Sequence, residues 1–413
     1  MRSAVDVDVD TPAGAAAALR STRAVRERAR LLTERARAGE SPWFTVHDDQ
    51  LASAAALVAE VTRDSYPDLQ IPFHSRWRHF EAGGVDRKAE LDRLLTGVDV
   101  PARAMIDLTV VSVLLDAGAG PTWSYLEPDT GLRLNRSEGL GVASFHAFTA
   151  GVFSSDPDDP LRVDAAGLAG LTERRLAEAF QSDAANPLVG VDGRVAVLRR
   201  LGAALASAPE VFGTDGRPGG LLDAVPAPGC ESVRAHDILT VILTSLASIW
   251  PGGNMIDDQA VGDCWRHRAL DGPGLTAGWM PFHKLSQWLT YSLLEPFGWA
   301  GVAVTDLDDL TGLPEYRNGG LLLDTGVLRL HDPRLADRSF TAADELVVEW
   351  RALTVALLDE LTPVVREQLG VDAETLPLAR VLEGGTWAAG RRLAQRLREG
   401  LPPLAIVSDG TVF

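Results

Sequence analysis

Gly278–Gly326 reads GWMPFHKLSQWLTYSLLEPFGWAGVAVTDLDDLTGLPEYRNGGLLLDTG. Phe282, Leu285, Trp288, Leu289, Ser292 and Leu293 recur at intervals of three and four, the spacing of one buried helical face, and Pro281 stands where such a helix begins. That period makes the stretch helix and turn rather than sheet, and the same helix aims His283, Lys284 and Gln287 together. Lysine occurs elsewhere only at position 88, so 37 of the 39 lysines and arginines are arginine and Lys284 is conspicuous. It reads either as a rim residue snorkelling along an apolar helix or as a point charge held for an anion.

Further along, Asp306, Asp308 and Asp309 follow Thr305 in the pattern of a capped helix with acidic residues in its first turn. Glu315 differs, because it precedes a Tyr316-Arg317 pair and a Gly319-Gly320 break, away from any obvious cap. Carboxylates beside aromatics serve as acids, bases or cation stabilisers when burial tunes them.

The remainder of the chain bounds what this stretch can do. At 413 residues and 46% hydrophobic it can bury a substantial core. A net charge of −18 argues against general nucleic-acid or anionic-membrane binding, while a local basic pocket can still take a small anion. Two cysteines, Cys230 and Cys264, make neither a disulfide framework nor a thiolate metal site, which fits a reducing cytosol. The opening MRSAVDVDVDTPAG lacks the layout of a signal peptide, and the apolar run from Ile238 to Trp250 is far short of the roughly 20 residues of a membrane span, so a cytoplasmic protein is expected.

Residues 1–14 read as disordered, and Ala15 to Gly39 as one charged amphipathic helix. Helical patterns recur at Asp49 to Arg63, at Ala102 to Leu115, from after Arg136-Ser-Glu-Gly139 to about Gly151, at Thr172 to Phe180, after Pro187, at Ala235 to Ile249, Thr341 to Leu369 and Pro377 to Arg398. Between them, Ile71 to Arg87 crowds His74, His79, Arg76 and Arg78 among aromatics; the histidines lack partners at zinc-site spacing, and the arginines can fork onto a carboxylate or phosphate. The glycine-rich loop around Trp123 has neither the ending of a phosphate-binding loop nor a dinucleotide context. Asp263 and His267, four apart, suit one helix face as a metal pair or, more simply, a polar brace. No repeat or long linker appears, so the expected fold is mainly α with few short strands: one compact helical unit over residues 15–413, with room for two lobes at 15–165 and 166–413.

Several blocks resemble a bacterial and fungal family associated with uracil catabolism, the one that includes the fourth protein of the uracil-catabolism gene set. They are IPFHSRWRHFEAGGVDR from Ile71, SVLLDAGAGPTWSY from Ser112, RSEGLGVASF from Arg136, GDCWRHRAL from Gly262, PFHKLSQWLTYSLLEP from Pro281, YRNGGLLLDTGVL from Tyr316 and the closing SDGTVF. A weaker resemblance is to the queuosine-salvage N-glycosidases, which release a base from a nucleoside 5′-phosphate. Leu171 to Leu176, Asp183, Pro187 and the arginine-leucine helix to Gly202 look like that family's middle. Phe282-His-Lys284-Leu-Ser-Gln287 is similar to its Phe-Tyr-Lys-x-Ala-Gln motif, and Leu310-Thr311 with Glu315-Tyr-Arg317 to its Leu-Thr followed by Asp-Tyr-Arg. Here glutamate stands in the acidic position. The resemblance implies a helical architecture like that of helix-hairpin-helix DNA glycosylases.

Together the two resemblances imply an N-glycosidase that splits ribosylurea, or its 5-phosphate, into urea and the sugar, with no metal or redox cofactor. In that reading Glu315 is the electrostatic stabiliser or base, Asp306 the reserve catalytic carboxylate, Lys284 the phosphate anchor and tryptophans such as Trp123 the pocket walls. His283, Gln287, Tyr316, Arg317, Arg76, Asp263, His267 and Asp409 complete the substrate-binding set. A metal-dependent amidohydrolase acting on the ring-opened pyrimidine and a non-catalytic binding subunit of the pathway are the alternatives; oligomeric state is left open.

Overall fold

A computed structural model describes residues 7–225, 230–250 and 254–407. The described chain is mainly helical, with a few two- and three-residue strands joined in pairs. It divides into two compact units whose segments are interleaved along the sequence. The first draws on the chain up to His74, on the segment that ends at Gln287 and on Leu307–Val407; the second takes the chain from Ser75 and the segment Trp288–Asp306. The division suggested by the sequence at 165/166 falls inside the second unit.

In the first unit the long helix Glu345–Leu369 forms the spine. Residues Leu346 to Leu358 are all buried, all round the helix, as expected of a segment enclosed by its neighbours. The helices Thr22–Arg37 and Leu51–Ser65 pack against it. The charged helix expected over Ala15 to Gly39 is two helices, Pro12–Leu19 and Thr22–Arg37, because Ser21 breaks the run and caps the second by accepting the Ala24 N–H at 3.2 Å. Near the C-terminus the helix Trp387–Arg398 lies on Tyr316–Asp324. Gly390 makes that approach possible, since a Cβ there would sit 2.1 Å from the Arg317 carbonyl oxygen. The helix expected from Pro377 is interrupted: a π-helical turn, Leu382–Thr386, separates Leu378–Val381 from Trp387–Arg398.

In the second unit the core is the helix Pro101–Leu114, buried from Ala104 through Leu114 and packed on Arg136–Thr149. Asp107 is enclosed in this apolar helix with its carboxylate met by Arg217 at 2.7 Å, the Gly219 N–H at 2.7 Å and the Val163 N–H at 3.2 Å. Burial pushes its pKa up to about 6 against the pull of Arg217. The helix Val191–Ser207 packs on Ala165–Ala169.

Candidate active site

The deciding stretch opens with a strand. Trp279–Pro281 pairs antiparallel with Cys264–Arg266, and the helix starts only at Lys284. Pro281 therefore ends a strand instead of starting a helix; the ladder bonds run from the Phe282 N–H to the Asp263 carbonyl and from the His267 N–H to the Gly278 carbonyl, which makes Pro281–Cys264 a pair that exchanges no backbone bond, so the donor that proline lacks is not missed. His283 turns the chain between the two elements at φ +51°.

Asp263 holds this junction together. Its backbone oxygen accepts the Phe282 N–H at 2.8 Å, and its carboxylate accepts the Lys284 N–H at 3.0 Å, the Trp265 indole N–H at 2.6 Å and a forked pair from Arg351 at 2.9 and 2.8 Å. Burial would raise the pKa of this acid, but the Arg351 charge and fork, with the other donors, hold it down at about 2. A carboxylate thus occupies the first donor of the Lys284 helix, and any anion there would have to displace it.

The i, i+4 geometry proposed for Asp263 and His267 is corrected by the same strand, which spans Cys264–Arg266. His267 turns to Glu349 at 3.1 Å, while Asp263 takes Arg351 on the same long helix. Among the described residues no group of three or more His, Cys, Asp or Glu side chains is placed to hold a metal ion.

Gln287 is fully buried and works as a brace. Its amide nitrogen donates to the Phe282 carbonyl and the Thr311 hydroxyl, and its oxygen accepts the Thr311 N–H at 2.8 Å. That fixes the Leu310–Leu313 run and so the position of Glu315. Glu315 proves to be a cap after all: its side chain accepts the N–H groups of Arg317 at 2.7 Å and Asn318 at 2.6 Å at the start of Tyr316–Asp324. The Gly319-Gly320 pair is inside this helix, where Gly319 lets the Trp350 indole lie against the backbone and donate to its carbonyl at 3.2 Å.

The Glu315 carboxylate is half-buried, and burial raises its pKa. The Arg317 and Asn318 N–H groups oppose that rise, and so do the charges of Lys284 and His74. Each carboxylate oxygen retains a lone pair beyond its backbone bond. The arrangement is a fixed negative charge, partly withdrawn from water, with a lysine and a histidine close enough to act on it.

Other residues singled out in the sequence fall elsewhere. His283 is buried, its Nε2 at 2.9 Å from the Leu19 carbonyl and 3.7 Å from the Cys264 sulfur, and burial depresses its pKa. Tyr316 is exposed, and the buried Arg317 lies over its ring at 4.7 Å while donating to the Gly400 carbonyl. Asp306 is exposed beside Thr305. In the second unit, Trp123 is enclosed with its indole N–H bonded to the Phe180 carbonyl, and Arg76 is enclosed against Ser112, Ser137 and Asp116. These two have no exposed surface to offer a solute. Asp409 lies outside the described residues. Two clefts of the second unit, of about 390 and 570 Å³, are lined by segments such as Pro209–Asp215 and Ala165–Ala169 and by none of these residues.

Sequence reasoning passed over His74 as a failed zinc ligand. Its Nδ1 is 2.8 Å from a Glu383 carboxylate oxygen, and Glu383 sits in the π-helical turn of the LEGGT block. The signal for that turn was the glycine pair Gly384-Gly385 inside an otherwise helical pattern.

The family described as "Protein of unknown function (DUF1688)" matches residues 18–413. "Uracil catabolism protein 4" of Lachancea kluyveri is 40% identical over 392 residues, covering 86% of this chain and 89% of its own. "Protein urg3" of Schizosaccharomyces pombe is 39% identical over 409 residues, covering 96% of this chain and 98% of its own.

Proposed function

The chain belongs to the DUF1688 family, and from that premise we propose that it is an enzyme of uracil catabolism, an N-glycosidase that hydrolyses ribosylurea or its 5-phosphate to urea and ribose or ribose phosphate. The name of the Lachancea relative, a uracil-catabolism protein, supports the pathway. The observation that carries the chemistry is the Glu315 carboxylate, clamped by two backbone N–H donors and within reach of the charges of Lys284 and His74.

Breaking a C–N glycosidic bond leaves positive charge on the sugar, shared between the anomeric carbon and the ring oxygen. A carboxylate that does not need to move is most useful at that moment, because it stabilises the transition state without reorganising. The two backbone donors orient Glu315, and partial burial lets its charge be felt more strongly than in water. Gln287 and Asp263 act as positioning residues, the first for the loop before Glu315 and the second for the first turn that carries Lys284. Lys284 then meets the 5-phosphate of a phosphorylated substrate.

The test is incubation of the purified protein with ribosylurea and with its 5-phosphate, followed by assay of urea and reducing sugar. Urea and sugar in equal amounts are expected from at least one of them. Ammonia and carbon dioxide in place of urea would mean attack on the urea C–N bond, and no turnover of either substrate would leave a binding role.

A further inference from the structure

The segment that ends at His74 and the turn that carries Glu383 are seated by one set of contacts. Gly384 and Gly385 press the π-helical turn onto the helix Leu51–Ser65 and the strap that follows it. A Cβ on Gly385 would lie 2.5 Å from both Thr62 and Val58, and one on Gly384 would lie 3.0 Å from Ile71. Ile71 is three residues before His74, whose backbone N–H donates to the Ala379 carbonyl at 2.9 Å. The guanidinium of Arg380, in the same turn region, covers the Phe73 ring at 5.0 Å. His74 is therefore strapped along the Ala379–Glu383 segment at both backbone and ring.

This geometry has a direction. A π-helical turn inserted in a helix costs hydrogen-bond quality, and such turns are found often where a side chain must be presented for function. Here the turn presents Glu383, which fixes Nδ1 of His74 at 2.8 Å and leaves Nε2 as the ring atom able to exchange a proton with a bound molecule. Both side chains keep partial access to solvent, at 16% and 18% exposure, so the dyad is neither sealed in the core nor adrift on the surface. From the π turn the chain continues into Trp387–Arg398, which meets the Arg317 backbone at Gly390, within the first turn of the helix that Glu315 caps. His74 is close enough for its charge to act on the Glu315 carboxylate.

We propose that His74, oriented by Glu383, is the proton donor to the leaving nitrogen of the substrate, a catalytic role that rests on the N-glycosidase reading. The sugar–nitrogen bond breaks with its electron pair going to nitrogen, and the Nε2 proton of His74 goes to that nitrogen, releasing neutral urea. Water then adds to the anomeric carbon, and its proton returns through solvent to His74. A ureido anion is a poor leaving group, so this proton transfer has to accompany departure, whereas Glu315 serves the sugar side of the same bond.

Leaving-group dependence separates the two duties. Turnover is measured on ribosylurea and on 4-nitrophenyl β-D-ribofuranoside, whose phenolate departs without a proton, for the wild type, His74→Gln, Glu383→Gln and Glu315→Gln. General acid catalysis contributes about 10²–10⁴-fold. His74→Gln is expected to lose about 10²-fold or more on ribosylurea and under about tenfold on the nitrophenyl riboside, while Glu315→Gln loses heavily on both. Glu383→Gln, which keeps the size of the side chain and removes its charge, should show the same split at smaller amplitude, and it carries the test by itself if His74→Gln does not fold. Equal losses of His74→Gln and Glu383→Gln on the two substrates, or no loss, would overturn the assignment of His74 while leaving Glu315 in place. A wild type inactive on the nitrophenyl riboside and on both ribosylurea and its 5-phosphate would overturn the N-glycosidase reading and this inference with it.

Discussion

Asp263→Asn should destabilise the first unit well beyond an ordinary polar substitution. The wild-type carboxylate satisfies a forked pair from Arg351, the Lys284 N–H and the Trp265 indole N–H from one buried position. Its pKa falls from 3.8 to about 2 on folding, and at about 1.36 kcal/mol per unit this ionisation contributes roughly 2–3 kcal/mol at neutral pH. Asparagine also takes the Asp263 charge away from the enclosed Arg351, and breaking a buried pair from one side costs about 3–5 kcal/mol. A loss of about 3–4 kcal/mol is therefore expected at pH 7, read as guanidinium unfolding followed by tryptophan fluorescence. Because the folded pKa is depressed, the wild-type advantage is complete above pH 3.8 and disappears as pH falls toward about 2, so the wild-type and variant curves should converge in that window. Asp107 has the opposite sign: its folded pKa of about 6 makes protonation favour the folded state as pH drops below 6. That contribution is common to both proteins and cancels in the difference. A variant within about 1 kcal/mol of wild type at pH 7, or a difference unchanged down to pH 2.5, would refute the account of Asp263 as the clamp of this junction.

Lys284→Met is expected to raise KM for ribosylurea 5-phosphate about tenfold to a hundredfold, the worth of one charged hydrogen bond, with a much smaller effect on ribosylurea itself. Lys284→Arg should restore only part of it, since a planar fork does not replace a point charge; equal sensitivity of the two substrates would remove Lys284 from phosphate binding. Gly390→Ala should cost about 1–3 kcal/mol in unfolding experiments, because its methyl meets the Arg317 carbonyl oxygen at 2.1 Å and the two helices must part. The same shift moves the backbone donors of Glu315, so kcat should fall as well, and a fully active, fully stable Gly390→Ala would contradict the packing described.

The periodic parts of the fold were legible in the sequence because apolar spacing alone sets them. Ala102 to Leu115 and Asp49 to Arg63 were expected as helices, and the structure has Pro101–Leu114 and Leu51–Ser65. Pro281 was misread because the proline that opens helices also closes strands, and only the partner strand Cys264–Arg266 distinguishes the two. Glu315 escaped recognition as a cap because Ser, Thr, Asp and Asn are the usual caps, and glutamate reaches the same N–H groups with one more methylene. The His74–Glu383 pair joins residues 309 apart in the chain, a separation over which no local pattern carries information. Trp123 and Arg76 look the same in sequence whether they line a pocket or fill a core, and only their burial decides.

The central claim is that Glu315 carries a charge used in the reaction and does more than cap a helix. Glu315→Gln keeps one acceptor for the backbone N–H groups, so loss of the cap should cost only about 1 kcal/mol of stability. Removing one fixed electrostatic stabiliser should lower kcat for urea release about 10²–10³-fold, with KM nearly unchanged. Steady-state kinetics of urea release by Glu315→Gln, measured beside its unfolding curve, is the direct test: a large fall in kcat with nearly native stability is the predicted result. Wild-type kcat in a variant that has lost the expected 1 kcal/mol of stability would make Glu315 a cap and nothing more, and would contradict the account.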